Sequence, residues 1–234
     1  MKIYGHRGAK GIIMENSIKG FKLAVSQGID RFELDIRLSS DGQLMVIHDE
    51  KLNRLTHTDL LVSKSHSEDL KRTELKGINE GIPTLEDVVK ACPSVKHWQF
   101  EIKTQRTEVG FIKPMLELIK SYQLEDNVVI TSKHIGTLKA FQKHLPDIAR
   151  GYVQEWHHPN GLKTAINLGC DFLCLNKTLA RKQYIKQAQA KNLHVSVWTV
   201  NKIEDMTDLF KLGADSIISD FPQQAKETLT VTTA

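Results

Sequence analysis

Residues 2–37 have the sequence KIYGHRGAKGIIMENSIKGFKLAVSQGIDRFELDIR, which contains one full repeat of the pattern that sets the fold. Its two ends, KIYG (2–5) and RFELDIR (31–37), have the apolar and β-branched composition of strands. Between them, NSIKGFKLAVSQG (16–28) has the apolar spacing of an amphipathic helix. The stretch therefore predicts a strand, a helix and a second strand in sequence.

The same alternation continues to the end of the chain. Six further segments have strand character: HWQFEIK (97–103), NVVIT (127–131), IARGYV (148–153), DFLCLN (171–176), HVSVWTV (194–200) and DSIIS (215–219). Helical patterns lie between them: PTLEDVVKAC, FIKPMLELIKSYQ, HIGTLKAFQKHL, GLKTAINLG, ARKQYIKQAQAKN and IEDMTDLFKLG, with a short one, QQAKETL, after the last strand. This order predicts an α/β protein of one (β/α)8 TIM-type barrel.

The barrel is expected to occupy residues 1–234 as a single domain, because no linker rich in Pro, Gly and Ser divides the chain. Gly28, Gly169 and Gly213 each fall where a helix should end. Thr84 and Asp87 have the spacing of a capping box.

The segment from 38 to 83 departs from the alternation. It has a hairpin signal at Asp41-Gly42, and then a polar loop of roughly thirty residues in which TDLLV (58–62) is the only apolar cluster that the sequence indicates. Loops of that length in compact domains are usually functional or partly helical. We expect no separate insertion domain here.

Composition and charge argue against several classes of partner. The chain has 40% hydrophobic and 26% charged residues, as soluble globular proteins do, and 32 basic against 28 acidic residues leave a net charge of +4. The charges are scattered, so no nucleic-acid surface and no stable membrane insertion are predicted.

The cysteines and the first residues predict a cytoplasmic protein. Cys92, Cys170 and Cys174 are odd in number and match no C-x-x-C spacing, so we expect free thiols in a reducing compartment. MKIYGHRG has no apolar signal region, and no apolar run approaches the length of a membrane span.

Acidic residues recur on two neighbouring predicted strands. Glu33 and Asp35 are two residues apart, so both side chains point to one face of the second strand, and Glu101 occupies the third strand. The apolar neighbours of these acids should pack against the helices, which directs the acids into the barrel. Adjacent strands lie about 4.8 Å apart, so we expect the three carboxylates to converge.

Three buried carboxylates need a compensating positive charge. One possibility is a network of ion pairs with Arg7 and Lys103. The other is a hard divalent cation, Mg²⁺ or Ca²⁺, held by the oxygen atoms, which would leave Arg7 and Lys103 free for an anionic substrate.

Two histidines favour the second possibility. His6 ends the first strand and His48 follows the apolar run LMVI, so both are expected at the same end of the barrel as the acids. Two imidazoles beside a Lewis acid suit general acid and base catalysis, and Asp49 is a candidate to orient one ring. With Arg7 to bind a phosphate, the set indicates metal-assisted displacement at phosphorus.

The chain resembles the glycerophosphodiester phosphodiesterase family over nearly its full length. The matching residues are His6-Arg7-Gly8, Glu15-Asn16-Ser17, Phe21, Ala24, Glu33-x-Asp35, Asp41-Gly42, His48-Asp49, Leu52, Arg54, Thr56, Ile82-Pro83-Thr84-Leu85, Glu101-Ile102-Lys103, Trp198-Thr199-Val200-Asn201 and Asp215 through Pro222. Each motif is weak alone, but their order and spacing together are specific.

The resemblance implies a TIM-type barrel that hydrolyses a small glycerophosphodiester to glycerol 3-phosphate and an alcohol. It implies that His6 and His48 are the acid–base pair, and that the cation is held by Glu33, Asp35 and Glu101. It leaves open which histidine is the base, and whether water or the substrate's own 2-hydroxyl attacks.

The resemblance also implies that Arg7 and Lys103 contact the phosphate, that Glu15 lies near the metal, and that Trp198 walls the substrate pocket. The chain has Met14 where the family usually has proline, and Lys133 where it tends to have phenylalanine. The second departure places a cation near the mouth of the barrel and leaves the headgroup pocket undetermined.

Other functions remain possible on the same barrel. A phosphosugar isomerase or Schiff-base aldolase would use Lys103 as its amine, but it leaves the three carboxylates without a role. A lysophospholipase-D-like enzyme and an inactive binding barrel are further alternatives. The sequence does not determine the headgroup, the metal or the oligomeric state.

Overall fold

In the computed structural model, which describes residues 1–104, 109–158 and 160–233, eight parallel strands close into a barrel. The strands are β1 (Lys2–His6), β2 (Arg31–Leu38), β4 (His97–Ile102), β5 (Val128–Ser132), β6 (Ala149–Gln154), β7 (Phe172–Asn176), β8 (His194–Trp198) and β9 (Ser216–Ser219). The barrel is closed because β1 pairs with both β2 and β9. The predicted (β/α)8 fold is confirmed.

Helices follow the strands around the outside of the barrel. Their bounds are α1 (Ile18–Ser26), α2 (Ser67–Arg72), α3 (Leu85–Ala91), α4 (Val109–Ser121), α5 (Ile135–His144), α6 (Gly161–Asn167), α7 (Lys182–Gln189), α8 (Ile203–Leu212) and α9 (Pro222–Thr233). Every predicted helix is present, and α2 is an addition. In the described part of the chain, none of the helices combines the length and the apolar character that a membrane span requires.

Strand β2 separates the apolar core from the interior of the barrel. Phe32 is fully buried between the barrel and its helices, and its ring lies 5.4 Å from that of Phe21 on α1 and 5.8 Å from that of Trp98 on β4. Because side chains alternate along a strand, Glu33 and Asp35 point the opposite way, into the barrel. Burial of the aromatic face fixes the register that presents these acids.

The predicted helix boundaries are also present. Gly213 ends α8 with φ at 84°, a backbone conformation that glycine adopts without steric cost. Thr84 caps α3: its hydroxyl accepts from the Asp87 amide and the Asp87 carboxylate accepts from the Thr84 amide, both at 3.1 Å. These contacts start α3 directly after the long 38–83 segment.

The 38–83 segment is more structured than its composition indicates. A short strand β3 (Leu44–Val46) pairs antiparallel with β2 across the predicted Asp41-Gly42 turn. Beyond it come two 3-10 turns and α2, packed on a hydrophobic cluster of Met45, Ile47, Leu52, Leu55, Val62, Leu70, Leu75 and Ile82. The expectation of one apolar cluster was wrong, because these residues are single and irregularly spaced and produce no periodic signal.

Candidate active site

A cavity of about 330 Å³ lies at the end of the barrel where the parallel strands finish. Seven of the nine predicted site residues line it: His6, Arg7, Glu33, His48, Glu101, Lys103 and Trp198. The site is at the end of the barrel where enzymes of this fold hold their catalytic groups, because side chains from several strand ends meet there.

The three predicted carboxylates converge. Asp35 on β2 is paired in register with Glu101 on β4, and one oxygen each of Glu33, Asp35 and Glu101 lie within 4.8 Å of one another. Burial is the main cause that raises the pKa of Glu33 well above its usual range, with Asp35 and Glu101 adding to it. Burial also acts to raise the pKa of Asp35, but Arg7 and Lys103 outweigh it and hold that pKa well below its usual range.

Cations reach two of the three carboxylates. Lys103 Nζ lies 2.7 Å from Glu101 Oε1 and 3.2 Å from Asp35 Oδ1, and Arg7 Nε lies 2.8 Å from Asp35 Oδ2. Within residues 1–104, 109–158 and 160–233, no lysine or arginine pairs with Glu33. The ion-pair network therefore exists and leaves the third carboxylate without a cationic partner.

The carboxylate oxygens fit a hard divalent cation. Both oxygens of Glu33 are buried and have no hydrogen-bond partner among the described residues, and Oδ1 of Asp35 has only its ion pair with Lys103. A buried carboxylate without hydrogen bonds is costly, and carboxylate oxygens are the ligands that Mg²⁺ and Ca²⁺ prefer. Glu33, Asp35 and Glu101 are thus suited to hold one such ion.

His6 is fixed by Asp220, which directly follows the last strand. Its Nδ1 lies 2.5 Å from Asp220 Oδ1, and Asn201 Nδ2 donates to the other Asp220 oxygen at 2.7 Å. This pairing places the proton on Nδ1 and leaves Nε2, which lies 3.7 Å from Glu33 Oε2, unprotonated in the neutral ring. Burial lowers the pKa of His6, Arg7 adds to that effect, and Asp220 opposes it.

Asp220 is a site residue that the sequence does not single out. It belongs to the motif from Asp215 to Pro222, and its contact with His6, 214 residues away, depends on the fold. The available signal was positional: Asp220 directly follows β9, and β9 neighbours β1 once the barrel closes. Residues at adjacent strand ends meet, so the closed barrel itself predicts the pair.

His48 is fixed in a similar way by its neighbour. Its Nδ1 lies 2.6 Å from Asp49 Oδ1, and its backbone carbonyl accepts from Arg37 Nε at 2.8 Å. The orientation of His48 by Asp49 that the sequence suggested is therefore present. Burial lowers the pKa of His48 against the opposing effect of Asp35.

Glu15 lies behind Arg7 and outside the three-carboxylate cluster. Arg7 Nη1 donates to Glu15 Oε1 at 2.8 Å, and Arg54 donates to both Glu15 oxygens. Arg54 Nε also donates to Asp49. In the sequence, Arg54 is only one of the residues that match the family. Its position between two site acids depends on the path of the 38–83 segment.

The rest of the cavity lining includes an aromatic ring and a charged pair. Trp198 is half-buried, and its Nε1 donates to the carbonyl oxygen of Cys174 at 3.2 Å. Lys133 and Glu155 line the same cavity and form an ion pair of 2.9 Å. Trp156, next to this pair, is 75% exposed.

The sequence and the fold match those of known phosphodiesterases. The sequence profile of the glycerophosphoryl diester phosphodiesterase family matches residues 6–224. A glycerophosphodiester phosphodiesterase of Bacillus altitudinis is 31% identical over 237 residues, which cover 96% of each chain. The structure of an Oleispira antarctica phosphodiesterase in complex with the product sn-glycerol-3-phosphate superimposes with a TM-score of 0.92 at 26% identity, covering 98% of this chain and 97% of that one.

Proposed function

The chain belongs to the glycerophosphoryl diester phosphodiesterase family, and we propose that its barrel hydrolyses small glycerophosphodiesters to glycerol 3-phosphate and an alcohol, with a divalent cation and two histidines. The observation that carries the mechanism is Glu33. Its carboxylate is buried, lacks a hydrogen-bond partner among the described residues, and lies beside two further acids and His6. That environment suits a cation with an acid–base group next to it.

We propose that Glu33, Asp35 and Glu101 hold the cation, which is Mg²⁺ or Ca²⁺. When bound, such an ion supplies Lewis-acid polarisation of a phosphoryl oxygen. Arg7 and Lys103 line the cavity beside the cluster and would bind the anionic oxygens of the diester.

His6 and His48 take the proton-transfer roles in this proposal. Each ring has its Nδ1 held by an aspartate, so the Nε2 atom is the one available for proton transfer. One Nε2 removes the proton from the attacking hydroxyl, and the other protonates the departing alkoxide oxygen. The attacking hydroxyl is that of water or of the substrate's own glycerol. In the second case the alcohol leaves with formation of a cyclic phosphate, which water then opens to glycerol 3-phosphate.

Glu15 is assigned a supporting role. Because its oxygens are engaged by Arg7 and Arg54, it would position Arg7 for the phosphate. Trp198 would form part of the substrate wall. We further propose that the chain works as one catalytic barrel and acts in the cytoplasm, where its three free cysteines would stay reduced.

The test is release of glycerol 3-phosphate from glycerophosphocholine and glycerophosphoethanolamine. Protein stripped with EDTA should be inactive, and Mg²⁺, Ca²⁺ or Mn²⁺ should restore release. Folded protein that releases no product with any of these metals, or that keeps full activity in EDTA, would contradict the proposal.

A second candidate is a lysophospholipid-type diester. Ile12, Ile135, Trp156 and Ile203 follow strands β1, β5, β6 and β8 and are exposed, so apolar side chains stand at the barrel mouth. An acyl chain would pack against such residues. Higher kcat/KM for a lysophosphatidyl diester than for glycerophosphocholine, below its micelle concentration, would favour this candidate.

A further inference from the structure

An ion pair stands across the cavity from the catalytic histidine on β1. Lys133 directly follows β5 and Glu155 directly follows β6, and in the closed barrel β6 lies four strands from β1 in either direction. Both side chains line the same cavity as His6. A diester bound at the carboxylates would therefore share its cavity with this pair, and either of its two ester substituents could reach the pair.

The pair is not needed for the chemistry proposed above. Lys133 Nζ lies 2.9 Å from Glu155 Oε2, and in the described ranges neither side chain forms a second ion pair. The side chains are 46% and 33% exposed, so they can separate without leaving a charge buried. Two opposite charges are thus available to a substrate group.

The cavity as a whole favours a substrate arm that carries negative charge. Its lining cations are Arg7, Lys10, Lys103 and Lys133, and its lining anions are Glu33, Glu101 and Glu155, with Asp35 directly behind them. These four cations and four anions balance, so a divalent cation held by the carboxylates would create a positive excess. Nearby charges act over this distance in a partly enclosed site, so an arm with only a positive charge would be disfavoured.

Lys133 also lies on the strand next to that of the proposed phosphate-binding lysine. Lys103 directly follows β4, Lys133 directly follows β5, and these two strands pair with each other. Both ammonium groups line the same cavity, and the carboxylate of Glu155 is the direct counter-charge of Lys133.

We propose that Lys133 and Glu155 form a headgroup subsite for an alcohol that carries both a carboxylate and an ammonium group, as serine does. The inference rests on the proposed function and names its substrate class. The headgroup carboxylate would pair with Lys133 and its ammonium with Glu155, so each charge exchanges one opposite partner for another. Ethanolamine would satisfy Glu155 but face Lys133 with a like charge, and choline has no N–H to donate.

The experiment compares glycerophosphoserine, glycerophosphoethanolamine and glycerophosphocholine in the metal-loaded enzyme, by glycerol 3-phosphate release. We expect kcat/KM to be highest for the serine diester. Lys133→Met and Glu155→Gln should each lower it about fivefold for that substrate, the size expected of a partly exposed ion pair, and change the choline diester little. Lys133→Glu should reverse the order in favour of ethanolamine.

Lys177→Met is the matched control, because Lys177 pairs with Asp205 at 2.7 Å with similar exposure outside this cavity. It should leave all three values unchanged. Equal kcat/KM values of the wild type for the three diesters would overturn the subsite. An equal loss of kcat/KM for all three diesters in Lys133→Met would also overturn it.

Binding of the serine and choline diesters to the metal-loaded His48→Ala variant, measured by calorimetry, separates this inference from the proposed function. Tighter binding of the serine diester without hydrolysis by wild type would contradict only the function. Equal binding, with hydrolysis by wild type, would contradict only the subsite.

Discussion

Arg54 donates to both carboxylate oxygens of Glu15, at 3.0 and 2.7 Å, and so connects the two halves of the site. The same guanidinium donates to Asp49, which holds His48, while Glu15 holds Arg7. A planar guanidinium can make such a bridge because its donors are fixed in direction. Arg7, the proposed phosphate ligand, and His48, one of the two proposed proton-transfer groups, are therefore both connected to a single side chain.

Replacing Arg54 should lower activity with little loss of fold. We expect Arg54→Ala to reduce kcat about 10- to 100-fold, since hydrogen bonds between charged groups contribute about 1.5–3 kcal/mol. Arg54→Lys should recover part of the loss, because lysine keeps the positive charge but lacks the planar set of donors that contacts both acids. Lys51→Ala, which removes an exposed pair with Asp59, is the control. Unchanged kcat in Arg54→Ala would show that the bridge does not position the site.

The Asp220 carboxylate should matter through His6. Asp220→Asn keeps the shape but no longer favours the Nδ1-protonated ring, so we expect kcat to fall about 100-fold or more. His6→Ala should lower kcat at least as far, and the double variant should be no worse than His6→Ala alone. Asp205→Asn on the surface is the control. Additive losses in the double variant would mean that Asp220 acts independently of His6.

Metal binding should stabilise the fold through Glu33. Because an ion bound only to the native state raises stability, we expect Mg²⁺ or Ca²⁺ to increase Tm in stripped protein. Glu33→Gln should abolish that increase and leave metal-free protein as stable as wild type or more so, since it removes a buried, unpartnered carboxylate. Glu86→Gln on α3 is the control. A full metal-induced shift in Glu33→Gln would exclude this residue as a ligand.

Two histidines at the other end of the barrel should make stability depend on pH. Burial lowers the pKa of His97 and of His194 to about 4, and both are near Phe172. In the unfolded chain both rings have a pKa near 6.5, so the unfolded state takes up protons before the folded state does. The contribution of the two histidines to the free energy of unfolding is therefore fully present above pH 6.5 and is lost as the pH falls toward 4. The urea midpoint should decline over this window, and less steeply in His194→Gln. A urea midpoint that stays constant between pH 6.5 and 4.5 would contradict the expectation.

Most of the fold could be predicted because it depends on local patterns. The eight barrel strands lie within one or two residues of their predicted positions, since apolar and β-branched runs alternate with amphipathic helices along the chain. The 38–83 segment was harder, because its buried residues, such as Leu52 and Leu70, stand singly among polar ones. A cluster assembled from isolated residues has no period to detect.

The carboxylate cluster could be predicted from the sequence for the same reason. Glu33 and Asp35 occupy alternate positions on one strand, and Glu101 lies on the strand that follows in the barrel. Strand geometry alone brings these acids together. The pairing of His48 with Asp49 is also local, although only the structure fixes its direction.

The sequence by itself determined the barrel and the strand faces, because these follow from periodicities of two and about four residues. It also made the acids and histidines candidates, through their positions on the predicted strands and the family resemblance. Only the tertiary structure decided the partners: Asp220 for His6, Arg54 for Glu15, and Lys133 for Glu155. These contacts join strand ends and loops that are distant in the chain. Closure of the barrel creates them, and no local pattern encodes which side chains then meet.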